Sequence, residues 1–317
     1  MAPWRHAAIC LCCAVLSAAA VRADEAFITS QPAELLSIVD LATRRVVATL
    51  PIQGKPAGIA VSADGTRAFV TSPDGKALSV IDTAARKVLR RIEVGGGPLG
   101  VAVHPAGRPV YVADWYGARV LAIDPDDGRT IGIVAVGLSP SGLAVTPDGR
   151  LLISADRDSD AISFVDTATL ARIATVTVGS RPFGVTIDAQ GARAYIANVG
   201  SDDVSIVDIA ARAVVGTVKV GLRPYAVALA AGRGFSTDQY AGTVTAFDLA
   251  TLAPLAAIPV GDYPEGIAAS RDGALIYVAN WETNTLSVID ARTLKRVDDI
   301  AVADGPRAFG AFIRRTD

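Results

Sequence analysis

The chain has 317 residues, 51% of them hydrophobic and 20% charged, and its 30 Lys plus Arg nearly balance 32 Asp plus Glu for a formal net charge of −2. That balance argues against the broad basic footprint of a general nucleic-acid binder. The only cysteines, Cys10, Cys12 and Cys13, sit together near the start and cannot form a disulfide framework.

In chain order the first element is a secretory leader. Residues 1–23 combine a basic start at Arg5, an apolar run from Ala7 to Ala20 and small residues before a cut after Val21-Arg22-Ala23. No second apolar stretch follows that would serve as a membrane span. Removing the leader takes all three cysteines, the only methionine, one of two histidines and two arginines, leaving 28 bases against 32 acids, about −4. The mature chain, residues 24–317, is therefore expected to be periplasmic or secreted. It has no thiolate or thioether metal site and no covalently attached haem, and any histidine-dependent triad would have to use His104.

Beyond the leader the apolar residues come in runs of four to six broken by Gly, Pro, Asp and Ser, as in strands buried on both faces. Residues 26–29, 36–39 and 46–50 give three such strands. Then a ruler appears: Pro56, Pro98, Pro140, Pro182, Pro224, Pro264 and Pro306 are spaced by 42, 42, 42, 42, 40 and 42 residues. Asp40, Asp82, Asp124, Asp166, Asp208, Asp248 and Asp290 keep the same period with the same short step. Two markers with one period and one slip define a repeated unit of about four short strands, the mark of a β-propeller.

The unit in residues 136–176 reads clearly. An inter-blade loop reaches Pro140, the first strand spans 141–146, and Pro147-Asp148-Gly149 makes a tight turn. Strands over 151–155, 161–165 and 171–176 follow. First strands alternate large and small, as in Val101-Ala102-Val103, because innermost strands crowd toward the axis. Six units run from about Ile52 to Ile300. The C-terminal piece, residues 307–313, matches a first strand, so three N-terminal strands and one C-terminal strand complete a seventh blade and remove the open edges.

Tyr111-Val112-Ala113-Asp114, Tyr195-Ile196-Ala197-Asn198 and Tyr277-Val278-Ala279-Asn280, each followed by Val/Leu-x-Val/Ile-Asp and Val-Gly-x-x-Pro-x-Gly, resemble the YVTN-type β-propeller repeat over the whole mature chain. The resemblance implies an all-β, seven-bladed, extracytoplasmic bacterial propeller. Similar proteins accompany quinone-dependent (PQQ) alcohol oxidation systems, and others have been proposed as lactonase-like enzymes or binding modules.

Repetition separates scaffold from site. The seven aspartates read as turn formers and the seven prolines as guides to the axis strand. First and third turns share one face and are monotonous. Second turns and inter-blade loops share the other face and vary, which is where function concentrates on a rigid scaffold. There, units four to six carry Arg181, Phe183, Arg223, Tyr225, Gln239, Tyr240, Tyr263, Glu265 and Trp281, with Trp115, Tyr116, Arg157 and Arg307 elsewhere on the same face. In an extended segment, i and i+2 point the same way. Arg181 with Phe183, and Arg223 with Tyr225, are thus expected to project together toward the channel mouth, where guanidinium and ring suit an anionic or planar ligand. The alternative is that the rings plug the funnel while the arginines pair with Glu265 and Asp262.

Asp156, Asp158 and Asp160 alternate like a calcium loop, but Ala161 replaces the glycine and no later Glu completes it. No metal and no cofactor is expected. The favoured reading is a monomeric, non-catalytic scaffold binding a partner protein or small anionic or planar ligand. Glu265, Tyr225 or arginines would carry a lactonase or lyase alternative. Single-strand nucleic-acid binding on the aromatic loops is a third reading, disfavoured by the acidic charge.

Overall fold

A computed structural model describes residues 24–315; the leader expected over residues 1–23 lies outside the described residues. The described chain is strands joined by turns and short loops, with a single 3-10 turn at Arg157–Ser159. Seven sheets follow one another around an axis, six of four strands and one of five, and within each blade neighbouring strands pair antiparallel. Blade 3, for example, is Pro140–Val145, Leu151–Asp156, Ala161–Asp166 and Ala171–Thr177. No helix among the described residues is long and apolar enough to cross a membrane.

Burial is greatest in the two middle strands of a blade and lowest in the outer strand, which explains the composition of each. Second strands such as Leu151–Asp156 are buried almost throughout, whereas the outer strand Ala171–Thr177 buries no residue fully. Middle strands face a neighbouring blade on both sides. Ile153 and Phe164 of blade 3 pack against Ile196 and Val207 of blade 4 with no exposed surface. Each such side chain contributes roughly 1.5–3 kcal/mol, and seven repeats of this contact make disulfides unnecessary.

The glycine two residues after the proline has a packing cause. A Cβ added at Gly100 would strike the carbonyl oxygen of Ser141 in the next blade, and one at Gly142 would strike that of Phe183. At these two positions neighbouring inner strands thus approach backbone to backbone, too closely for a Cβ. Blade 5 and the closing segment carry alanine at the corresponding position, Ala226 and Ala308.

Closure occurs as the strand count requires, with one refinement. Glu25–Ser30, Leu35–Asp40 and Arg45–Pro51 form three strands of blade 7. The C-terminal strand is split: Ile313–Arg314 pairs antiparallel with Glu25–Ser30, while Phe309–Ala311 lies parallel to the inner strand Gly58–Val61 of blade 1. The Arg314 guanidinium meets the buried Glu25 carboxylate at 3.0 Å, which ties the two chain ends together.

Candidate functional site

The two faces are sorted by backbone bonds. After six of the seven second strands, the next N–H donates to the carbonyl of the residue before a proline: Trp115 to Gly97, Arg157 to Ser139, Val199 to Arg181, Gln239 to Arg223, Trp281 to Tyr263 and Gln31 to Gly305. Second turns and inter-blade loops therefore form one variable face. First and third turns are bonded on the opposite face, as Thr167 N–H to the Arg150 carbonyl illustrates.

On that opposite face the repeated aspartates act as turn formers. Asp40, Asp166, Asp248 and Asp290 accept the backbone N–H of Thr43, Thr169, Thr251 and Thr293, bonds that hold their carboxyls below the ordinary range. His104 lies in a turn there, its Nδ1 accepting the Ala106 N–H at 3.1 Å.

On the variable face, the residue before the proline adopts positive φ in six of seven loops: Lys55, Ser139, Arg181, Arg223, Tyr263 and Gly305, at 62°, 53°, 53°, 56°, 52° and 65°. Side chains from the preceding second turn hold this conformation. Asp160 Oδ1 accepts the Arg181 N–H at 2.7 Å, and Asp202 Oδ1 accepts that of Arg223 at 2.8 Å. The segment is not extended, so the i, i+2 expectation fails. Arg181 is exposed while Phe183 is buried, and Arg223 turns outward over Tyr240 while Tyr225 is buried.

Residues after the prolines converge on the axis instead. Ala57, Leu99, Phe183 and Tyr225 pack with Val199 and Phe309 in one buried cluster. Ring centroids lie 4.3 Å apart for Phe183 and Tyr225, 4.9 Å for Phe183 and Phe309, and 5.3 Å for Tyr225 and Phe309. Trp115 adds a half-buried ring 6.3 Å from Phe183. These rings plug the funnel, which is the second of the two sequence alternatives.

A polar cluster borders the plug. Glu265, 5% exposed, forms an ion pair with Arg307 at 2.9 Å and accepts from Gln239 Nε2 at 2.8 Å. Arg307 also donates to the Tyr225 hydroxyl and to Gln31 Oε1 at 3.2 Å. Burial raises the Glu265 carboxyl, opposed by the Arg307 charge and the Gln239 bond. Burial likewise pushes the Tyr225 phenol up. The partner of Glu265 is thus Arg307, not the arginines of blades 4 and 5. Gln31 and Phe309 were not among the sequence candidates. Phe309 was signalled only by an aromatic three residues after a proline, where the other units have aliphatics.

What remains outside the plug is a rim. Arg223 sits 4.3 Å from the Tyr240 ring and donates to its hydroxyl at 3.1 Å, and Tyr240 meets Tyr263 edge-on at 5.4 Å. Tyr116 is 83% exposed, Leu138 59%, Leu222 55% and Tyr240 54%. Arg157 pairs with Asp158 at 2.6 Å and lies over Trp115. Trp281 is half-buried against the loop at Gly305. The three alternating aspartates do not converge on one point: Asp156 is buried with Ser154 and Ser163, Asp158 takes Ser139 and Arg157, and Asp160 takes the Arg181 amide.

Solved structures with this shape include a functionally unknown protein from Desulfotomaculum acetoxidans DSM 771, with TM-score 0.80, 15% identity, and coverage of 92% of this chain and 99% of that one. Kuenenia stuttgartiensis hydrazine synthase aligns with TM-score 0.72 at 20% identity, over 80% of this chain and 88% of that one. The dihydro-heme d1 dehydrogenase NirN in complex with DHE aligns with TM-score 0.66 at 15% identity, over 92% and 75%. At these identities the likeness is one of fold. No curated protein matches the chain. The YNCE-like β-propeller family model matches residues 12–108 and 126–313, and the chain belongs to that family.

Proposed function

We propose that this protein is a non-catalytic scaffold, exported to the periplasm or beyond after loss of residues 1–23, that docks a partner protein on its variable face. The plug carries this reading. Phe183, Tyr225 and Phe309 fill the space at the axis that a small anionic or planar ligand would need on this face. What stays presented is a rim of tyrosines, leucines and arginines: Tyr116, Leu138, Arg181, Leu222, Arg223, Tyr240 and Tyr263. Tyrosine and arginine are the residues that anchor protein interfaces. The stacked Arg223–Tyr240–Tyr263 row is already ordered, which lowers the entropy cost of docking. The YVTN-type resemblance points to a partner within a periplasmic quinoprotein (PQQ) oxidation system, with the cofactor on the partner and this chain a monomer.

The test is capture from periplasmic extract followed by native mass spectrometry. A partner held by the wild type and lost by Arg223→Ala/Tyr240→Ala supports the reading. Equal capture by the folded double variant overturns it.

One observation favours a second reading. Glu265 is a buried carboxyl beside Tyr225 and Arg307, and the Arg307 side chain is 19% exposed. In a lactonase-type enzyme, Glu265 would serve as acid or base with Arg307 polarising a carbonyl. Hydrolysis of a lactone panel that disappears in Glu265→Gln would establish it, and an inert wild type removes it.

A further inference from the structure

Beyond the plug the axis opens again. The inner strands enclose a tunnel of about 540 Å³, within the roughly 300–1,000 Å³ of small-molecule sites. The proline ruler sets its walls. Four residues after the proline stand Ala60, Ala102, Ala144, Ala228 and Ala268, and the next residue along is Val, Ile, Leu or Ala in every unit. Ala144, Thr186 and Ala268 are only half-buried, so the adjacent blades leave the room beside them open. The Thr186 hydroxyl is itself occupied, donating to the Val227 carbonyl at 2.6 Å.

The two ends differ. Phe309 belongs both to the tunnel wall and to the aromatic plug, which closes the variable-face end. The other end reaches the face of the first turns, where Ala189 and the exposed Arg315 line it. Arg315 is the one charged side chain among the lining residues. Nearby turn carboxylates are engaged locally: Asp64 accepts from Ser62, Asp148 from Thr146 and Asp272 from Ser270, each at 2.6 Å. The guanidinium is therefore the rim group suited to an anionic head, with a planar fork that matches a carboxylate.

We infer that the tunnel binds an elongated apolar molecule ending in a carboxylate, its tail toward Phe309 and its head at Arg315. This site is independent of the variable-face rim and faces the opposite way. Burial of the chain against Ala, Val, Leu and Ile supplies the affinity, and Arg315 selects the head group.

The test uses cis-parinaric acid, whose fluorescence rises on entering an apolar site, with palmitate, hexadecanol and hexadecylamine as competitors. The wild type is expected to bind the probe and release it to palmitate in preference to the alcohol or amine. Arg315→Glu, a surface change that leaves the fold intact, is expected to weaken palmitate by about tenfold, equivalent to about 1.4 kcal/mol, without changing hexadecanol. Ala144→Phe and Ala268→Phe place a ring in the bore and are expected to abolish binding while circular dichroism stays native. A wild type that gives no fluorescence change, or equal palmitate binding in Arg315→Glu, overturns the assignment, as does undiminished binding in a folded Phe variant.

Discussion

Asp238→Asn should stabilise this protein at neutral pH and do nearly nothing in acid. Asp238 ends the second strand of blade 5, fully buried, and burial raises its carboxyl to about 6 from 3.8, against the hydroxyls of Thr245 and Thr243 that favour the charged form. A raised acid pKa means that the folded state holds the proton more tightly than the unfolded one. The associated stability is fully present below about 3.8 and is lost as pH rises through about 6. At about 1.36 kcal/mol per unit, the wild type gives up about 3 kcal/mol by pH 7.5. Asparagine cannot ionise and avoids this loss. The slot accepts it, because Asn280 in the next blade donates to Thr285 at 2.9 Å and Ser287 at 2.8 Å, the residues five and seven further on. Asp238 accepts from Thr243 and Thr245 at the same two offsets. Urea titrations of both proteins from pH 4 to pH 8 isolate the effect, since every other titrating group is common to the pair. The variant should gain up to about 3 kcal/mol at pH 7.5, with the two curves meeting near pH 4. Parallel curves, or a variant less stable at pH 7.5, would mean that burial does not hold a proton on Asp238.

Other outcomes follow from the same geometry. Arg307→Ala strips the buried Glu265 of its counter-charge and should cost about 3–5 kcal/mol at neutral pH. Part of this should return in acid, where Glu265 takes a proton, and in the Arg307→Ala/Glu265→Gln double variant; a single variant as stable as wild type at pH 7.5 contradicts the buried pair. Gly100→Ala drives a methyl into the Ser141 carbonyl and should lower stability by about 1–3 kcal/mol, measured by thermal melting; no loss means that the inner strands do not approach as described. Deleting residues 304–317 should remove the C-terminal strand of blade 7, open the ring there and expose sheet edges. An unchanged melting temperature with monomeric elution would sink the closure.

The legibility of the fold in the sequence came from repetition. Seven prolines and seven aspartates average out local noise, so strand positions in blade 3 fell within a residue or two of those observed, and the shared seventh blade followed from counting. The split of the closing strand was hidden because Phe309–Ala311 pairs with a strand some 250 residues away. The site was harder for a specific reason. Reading Arg181-Pro182-Phe183 as extended assumed negative φ, whereas Asp160 of the neighbouring blade holds Arg181 at positive φ and turns it away from Phe183. No local pattern reports a side chain supplied from the preceding blade. The seven-fold comparison singled out the residues after Pro182, Pro224, Pro264 and Pro306, and these meet at the axis. It did not show that they would meet each other rather than a ligand.

The most direct test of the account compares the two faces against the captured partner. Its affinity should be measured by calorimetry for the wild type, for Arg223→Ala/Tyr240→Ala on the variable rim and for Arg315→Glu on the opposite face. A loss of about 2 kcal/mol or more is expected in the rim variant, the scale of interface anchors, with wild-type affinity in Arg315→Glu. Wild-type affinity in the rim variant, with loss in Arg315→Glu, would contradict it.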